Sequence, residues 1–411
     1  MSNILAQLAS DGKRECKRFI NQLEKGGTKV VVAADFWSDS GHAVLGCTGH
    51  GITYDWELRF VLIGAIPAAD KHHTAELVDD LLDGAFRTLG FAEAQGRLFK
   101  CVSDNASNMI AGLAGNGRSP CICHTLELSV KKGCAVPEID KIIKMANKVV
   151  AHFSRSTISS SQLAAIQLAA KLKRQKLMKM VLTRWRSHRD MSLSVVRNKP
   201  ALETFFSENE VIVDDSSVSS GKKKLVFESR EFRILDQFSA MLETMAMASQ
   251  VLEGDKYPTI GAALTSLSMC IASLRPEREV VLMSGSSVGD AVLEPCVRQA
   301  RAAILKDMIQ RWIKDIDDNV KRTLLIGAML DPRFKNVGRT APEFAIWDRE
   351  KDEIFEFELL GRWVQKEPIV EMGTDAVAPA AVAPAAAPQA TPCTGHRSGS
   401  ITMSSFLSLG R

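Results

Sequence analysis

The 411 residues carry 52 Lys and Arg against 48 Asp and Glu, a formal net charge of +4, and 45% of them are hydrophobic. That length suits about two to three domains at ~150 residues each, and the apolar share suits a globular chain with a buried core. A balance of +4 is too small to argue for a nucleic-acid partner by itself. Nine cysteines at irregular spacing in so long a chain argue against a secreted disulfide framework and for a reducing compartment.

Asp11, Lys13, Arg14, Glu15 and Lys17 interrupt the start of the chain, where a secretory signal needs an unbroken apolar core, so no export is expected. Residues 1–28 read as a helical lead-in. Val30, Val31 and Val32 then open a strand-like run, followed by a polar turn at Ser38–Gly41, a second run through Val44, Leu45 and Cys47, and a turn near Tyr54 and Asp55. A third run, Leu58–Ile66, ends at Pro67. Three strands joined by short connections predict an antiparallel meander.

Leu77, Leu81, Leu82, Ala85, Phe86 and Leu89 recur at helical spacing, with Thr74 placed to cap that helix and Glu76 in its first turn. A strand over Leu98–Val102 follows and stops at Ser103, Asp104 and Asn105, with a helix expected from near Ser107. A short fifth strand around Cys121–Cys123 and a helix over Thr125–Lys132 complete a β-β-β-α-β-α-β-α order. That is an α/β layer architecture with a mixed sheet. If the first and fourth strands are parallel neighbours, Asp35 and Asp104 emerge at one sheet edge, where two carboxylates suit Mg²⁺ with retained water.

Beyond Pro137 the texture is helical to about residue 330, broken by loops at Asp214–Lys224 and Ser284–Gly289. Tyr257–Leu274 is uncharged but holds Pro258 and several Ser and Thr, so it reads as a buried helix, not a membrane span. The stretch from Lys141 to Lys199 has fourteen basic residues and one acid, Asp190, a local charge of +13 that leaves −9 on the remainder. Such a segment is the footprint of a phosphate-binding surface, with Lys171, Lys173, Arg174, Lys176 and Lys179 at its densest. A solvated helix face is the alternative. Asp331 and Pro332 suit a turn, an acidic helical stretch runs to about Glu367, and the Ala, Pro and Val composition of Ala376–Gln389 predicts disorder. No G-x-x-x-x-G-K-[ST] phosphate loop occurs.

The sequence words are more specific than the spacing. V-V-A-A-D-F-W-S-D at 31–39, H-T-A-E at 73–76, S-D-N-A-S-N-M at 103–109, C-I-C-H-T-L-E-L at 121–128, T-R-W-R-S at 183–187, D-K-Y-P-T-I at 255–260 and L-D-P-R-F-K at 330–335 stand in this order. Together they resemble the hAT family of DNA transposases over about Lys29–Lys335. The resemblance implies a ribonuclease-H-like core at 29–136 interrupted by a helical insertion at 137–330, a return with an acidic helix at 331–372, and a tail at 373–411.

It also implies that Asp35 and Asp104 are catalytic ligands of Mg²⁺ or Mn²⁺ in phosphodiester strand transfer, and that the partner is DNA and the location nuclear. In the family a third carboxylate, a glutamate, follows the insertion in a segment that also serves dimerisation. Nothing after Lys335 matches it, so impaired chemistry is expected, and a homo-oligomer is left open. Glu343, Glu350, Glu353, Glu356 and Glu358 offer no motif to choose among them. The family's zinc finger is also missing, since only Cys16 precedes Asp35, and no zinc is expected. Cys121 and His124 match a family C-x-x-H element and are read as packing and hydrogen bonding in preference to metal. For Trp185, stacking on a displaced base and anchoring a helix weigh equally, with Arg184 and Arg186 suited to phosphate. A non-enzymatic DNA- or protein-interaction protein is the competing reading.

Overall fold

In the computed structural model, residues 2–39, 42–68, 73–92, 94, 96–181, 185–214, 222–225 and 227–355 are described. Helix α1 (Ser2–Lys25) leads into strands β1 (Val30–Asp39), β2 (His42–Ile52) and β3 (Leu58–Pro67). Helix α2 (Ala75–Thr88), β4 (Leu98–Ser103), α3 (Ser107–Gly112), β5 (Arg118–Pro120) and α4 (Ile122–Cys134) follow. The strands form one mixed sheet in the order β3-β2-β1-β4-β5. The meander is antiparallel, while β1 pairs with β4, and β4 with β5, in parallel.

Period-two alternation decides which side of the sheet is covered. Val30, Val32 and Ala34 of β1 point with Leu45, Cys47, Ile63 and Cys101 into a core closed by Phe19, Ile20 and Leu23 of α1 and by Val78, Leu82 and Phe86 of α2. Gly51 is what lets α1 lie so close, since a Cβ there would stand 2.6 Å from Leu23 Cδ1. On the intervening positions Trp37, Phe60 and Leu62 remain exposed. Thr74 accepts from Leu77 N at 3.3 Å and caps α2, as its position before the apolar periodicity predicts.

The fifth strand differs from expectation. It is Arg118–Pro120, and the Cys121–Cys123 stretch instead starts a helix, with Cys121 at the N-cap of α4. The apolar C-I-C run fits either state; Cys121 N makes the last bond between β5 and β4, to Ser103 O at 2.7 Å, and α4 begins directly after it.

The helical region comprises α5 (Pro137–Arg155), α6 (Thr157–Ala169), α7 (Trp185–Arg197), α8 (Lys199–Glu208), α9 (Ser229–Met241), α10 (Glu243–Leu252), α11 (Ile260–Ser273), α12 (Pro295–Ile309), α13 (Asp318–Leu330), α14 (Val337–Thr340) and α15 (Asp348–Ile354). Two small hairpins occupy the predicted breaks, pairing Ile212–Asp214 with Lys222–Lys224 and Val280–Val281 with Ser287–Val288. Helix α4 joins the two regions: a Cβ on Gly133 would lie 2.5 Å from Ile304 Cδ1 of α12, and Ser129 Oγ donates to Asp307 Oδ2 at 2.8 Å. The described residues up to 344 form one unit, and those from 345 to 355 belong to another. The acidic stretch beyond Phe355 and the Ala- and Pro-rich tail lie outside the described residues. Among the described residues, no helix is long and apolar enough to cross a membrane.

Candidate functional site at the sheet edge

The parallel ladder between β1 and β4 ends at the pair Ala33 and Val102, and each strand places an aspartate two residues further on. Asp35 lies inside β1, not at its end, because the antiparallel arm with β2 continues to Asp39. It is nevertheless clear of the β4 ladder and on the same sheet edge as Asp104. The two carboxylates interact: burial raises the Asp35 pKa, and the Asp104 charge raises it further, while His124 opposes both.

The loop after β4 is tightly braced. Arg118 Nε donates to Ser103 Oγ at 2.9 Å, and its Nη2 donates to Asn105 Oδ1 at 2.9 Å and to Asp104 O. Asn105 Nδ2 donates to Thr125 Oγ1 at 2.9 Å, and that hydroxyl donates to Cys121 O at 2.9 Å. Ala106 N donates to Asp104 Oδ1 at 3.2 Å, so a local side-chain turn fixes one carboxylate oxygen. Arg118 was not singled out by sequence reading. Its signal is only an arginine on a very short strand, and the three groups it orders come to it only in three dimensions.

Cys121 and His124 complete the edge. A hydrogen bond from Cys123 lowers the Cys121 pKa, and the bonds and charge of His124 lower it further against the cost of burial, whereas Cys123 is pushed up. The same Cys121 bond raises His124 to about 9, against the cost of burial, with Asp35 and Asp104 adding to the rise. The edge thus brings the His124 imidazole toward Cys121 and the two carboxylates, all of which favour its charged form, while His124 Nδ1 is buried with no hydrogen-bond partner among the described residues. Among the described residues no group of three or more His, Cys, Asp or Glu is assembled to hold a metal ion.

The basic candidates fall into two groups. Residues 171–181 form an extended strap after α6, anchored by Gln167 Nε2 to Gln175 O at 2.9 Å, Met178 N to Ser194 Oγ at 3.0 Å and Val181 N to Ser187 Oγ at 2.8 Å. Lys171, Lys173, Arg174, Lys176 and Lys179 are exposed along it, and none forms an ion pair among the described residues. Arg186 departs from expectation, since Glu253 neutralises it at 2.9 Å. Trp185 is only 6% exposed, which favours the helix-anchoring reading over base stacking. Arg184 lies outside the described residues.

Glu343 is held by Arg275 through both guanidinium and carboxylate pairs of atoms, with Arg275 Nε 3.0 Å from Oε1. Glu353 pairs with Arg349 at 3.0 Å, while Glu356 and Glu358 lie outside the described residues. Asp331 caps the end of α13 and binds Arg333, the turn role expected of it. Compared with protein-family models and with curated proteins, the chain matches none.

Proposed function

We propose that this chain is a nucleic-acid-binding protein of hAT-transposase type, with a ribonuclease-H-like sheet whose Asp35 and Asp104 form a divalent-cation site acting on phosphodiesters. The observation that carries this reading is the pair itself: two aspartates stand two residues past the end of the parallel ladder between adjacent strands, at one sheet edge, where burial and then the Asp104 charge raise the Asp35 pKa against His124. A bound Mg²⁺ or Mn²⁺ would supply charge neutralisation and activation of a hydroxyl nucleophile. Arg118 and Asn105 keep the Asp104 loop in place, and His124, its pKa raised chiefly by Cys121 and further by both aspartates, lies within electrostatic reach of the pair. The strap's cations supply the sequence-independent attraction for a phosphate backbone.

The competing reading is binding without cleavage, favoured by the engagement of Glu343 with Arg275. One experiment separates them. Purified protein is incubated with supercoiled plasmid and Mn²⁺, beside Asp35→Asn and Asp104→Asn variants. Nicking by the parent chain that both variants lose supports catalysis. Retention of nicking by both variants removes the aspartate site, and DNA binding without nicking leaves the binding protein.

A further inference from the structure

The helical region contains a half-open cavity of about 630 Å³, between the end of α11 and one side of α12. Ligand pockets in proteins run from about 300 to 1,000 Å³, so the volume suits a small organic molecule. Helix α12 has two distinct sides. Val297, Ala300, Ile304 and Met308 are buried in the core, whereas Arg298, Ala302, Leu305 and Ile309 recur at helical spacing along the cavity. Leu305 and Ile309 are only partly buried there, and Pro276 adds a further apolar wall.

The charges in this cavity do not cancel. Arg301 forms its floor, fully buried, and its guanidinium is used up: Nε donates to Leu274 O at 3.1 Å, Nη2 to Ser273 O at 3.2 Å and to Arg278 O at 2.6 Å, and Nη1 to Asp290 Oδ1 at 3.1 Å. Asp290 is the cavity's one acid, and it is thereby neutralised. Arg298 donates only to main-chain oxygen, to Ala291 O at 3.2 Å. Lys306 and Lys314 are exposed and have no acidic partner among the described residues. Three uncompensated cations therefore line one apolar cleft.

The backbone brings two of them together. In a continuous α-helix, Lys306 and Lys314 would point about 80° apart, given 3.6 residues per turn. Instead Gln310–Lys314 forms a wider π-helical turn, with Asp315 N donating to Gln310 O at 2.8 Å, and both lysines line the same cavity. Such turns cost regular hydrogen bonding and recur at functional sites.

We infer that this cavity binds a mononucleotide, its phosphates held by Arg298, Lys306 and Lys314 and its base lying against Leu305, Ile309 and Pro276. An anion alone would use the cations and leave the apolar wall wet; an apolar ligand alone would leave the cations unanswered. A nucleoside phosphate satisfies both.

The test is calorimetric titration of the full chain with ATP, pyrophosphate and adenosine as separate probes. ATP is expected to bind more tightly than either fragment. The Lys306→Glu and Lys314→Glu changes, both at exposed positions, are each expected to weaken ATP by about tenfold or more. Alanine replacement of the five strap cations is expected to leave ATP affinity unchanged, so this site is separable from the proposed nucleic-acid surface. No ATP binding at millimolar concentration overturns the inference. So does pyrophosphate binding as tightly as ATP, which would mark an anion site only, and so does ATP binding that survives both charge reversals but is lost with the strap.

Discussion

The sheet edge and the strap are built in opposite ways. At the edge, Ser103, Asp104, Asn105, Arg118, Thr125 and Cys121 share a closed hydrogen-bond network, so each polar group has an assigned place. Along residues 171–181 the backbone is pinned at a few points and the cationic side chains extend into water. Chemistry on a phosphodiester demands fixed geometry within fractions of an ångström, whereas attraction for a polyanion depends on charge and distance through a screened field. One region therefore spends its residues on order and the other on uncompensated charge.

The sharpest way to break this contrast is at the strap. Replacing Lys171, Lys173, Arg174, Lys176 and Lys179 with Ala is expected to weaken duplex DNA binding by orders of magnitude at moderate salt. The slope of log K against log salt should become shallower by about 4. The urea midpoint should stay close to the parent's, since exposed unpaired cations contribute within ~0.5 kcal/mol. Fluorescence anisotropy at several salt concentrations and a urea melt measure the two effects side by side.

At the edge the pattern should invert. Arg118→Ala removes a half-buried guanidinium and orphans Ser103 Oγ and Asn105 Oδ1, with an expected loss of about 2 kcal/mol in urea unfolding. An effect on nonspecific DNA affinity larger than on stability would mean that Arg118 acts as a phosphate contact and not as a brace.

The His124 contribution depends on pH. Its folded pKa of about 9 lies above the ordinary 6.5, so its stabilisation is complete below 6.5 and declines as pH rises through 9. The stability gap between the parent chain and His124→Gln should shrink over that window. A gap that grows with pH would show the imidazole to be buried neutral.

Lys171 gives the smallest and most discriminating effect. It sits at φ 56° just past α6, where Lys171 N bonds Leu168 O at 3.0 Å and Leu172 N bonds Gln167 O at 2.8 Å, the helix-ending arrangement that favours glycine. Lys171→Gly is expected to raise stability by about 0.5–1 kcal/mol while removing one cation, reducing the salt slope by ~0.9. Thermal unfolding and the salt titration should therefore move in opposite directions.

Much of this contrast can be read from local patterns. Alternation in β1 to β3 and helical spacing in α2 depend on near neighbours, as does the Thr74 cap, and each was predictable for that reason. The strand-to-loop break at Ser103 to Asn105 was equally local, and it put Asp104 at the end of its strand. Charge density along 171–179 is a property of composition, but its extended conformation was not foreseen: the stretch read as part of a helical region, and α6 ends at Ala169. The fate of single charges is not local either: Arg184 and Arg186 look alike beside Trp185, yet Arg186 meets Glu253, 67 residues away.

Burial and pairing across distance were settled by packing. Trp185 went into the helical core because its indole found a pocket among helices. Cys121 closes the β5 edge through its bond to Ser103 O and caps α4 at once, and Arg301 became a buried clamp only when the end of α11 brought several carbonyls to one point. The sequence thus specifies most element types, the place of Asp104 after its strand and the basic stretch, since these rest on neighbours in the chain, whereas Asp35 fell inside β1 because its pairing with β2 runs on to Asp39. The brace on Asp104, the neutralised arginine and the cationic cleft beside α12 arise from groups far apart in sequence, whose charges and hydrogen bonds are matched only when the chain is folded.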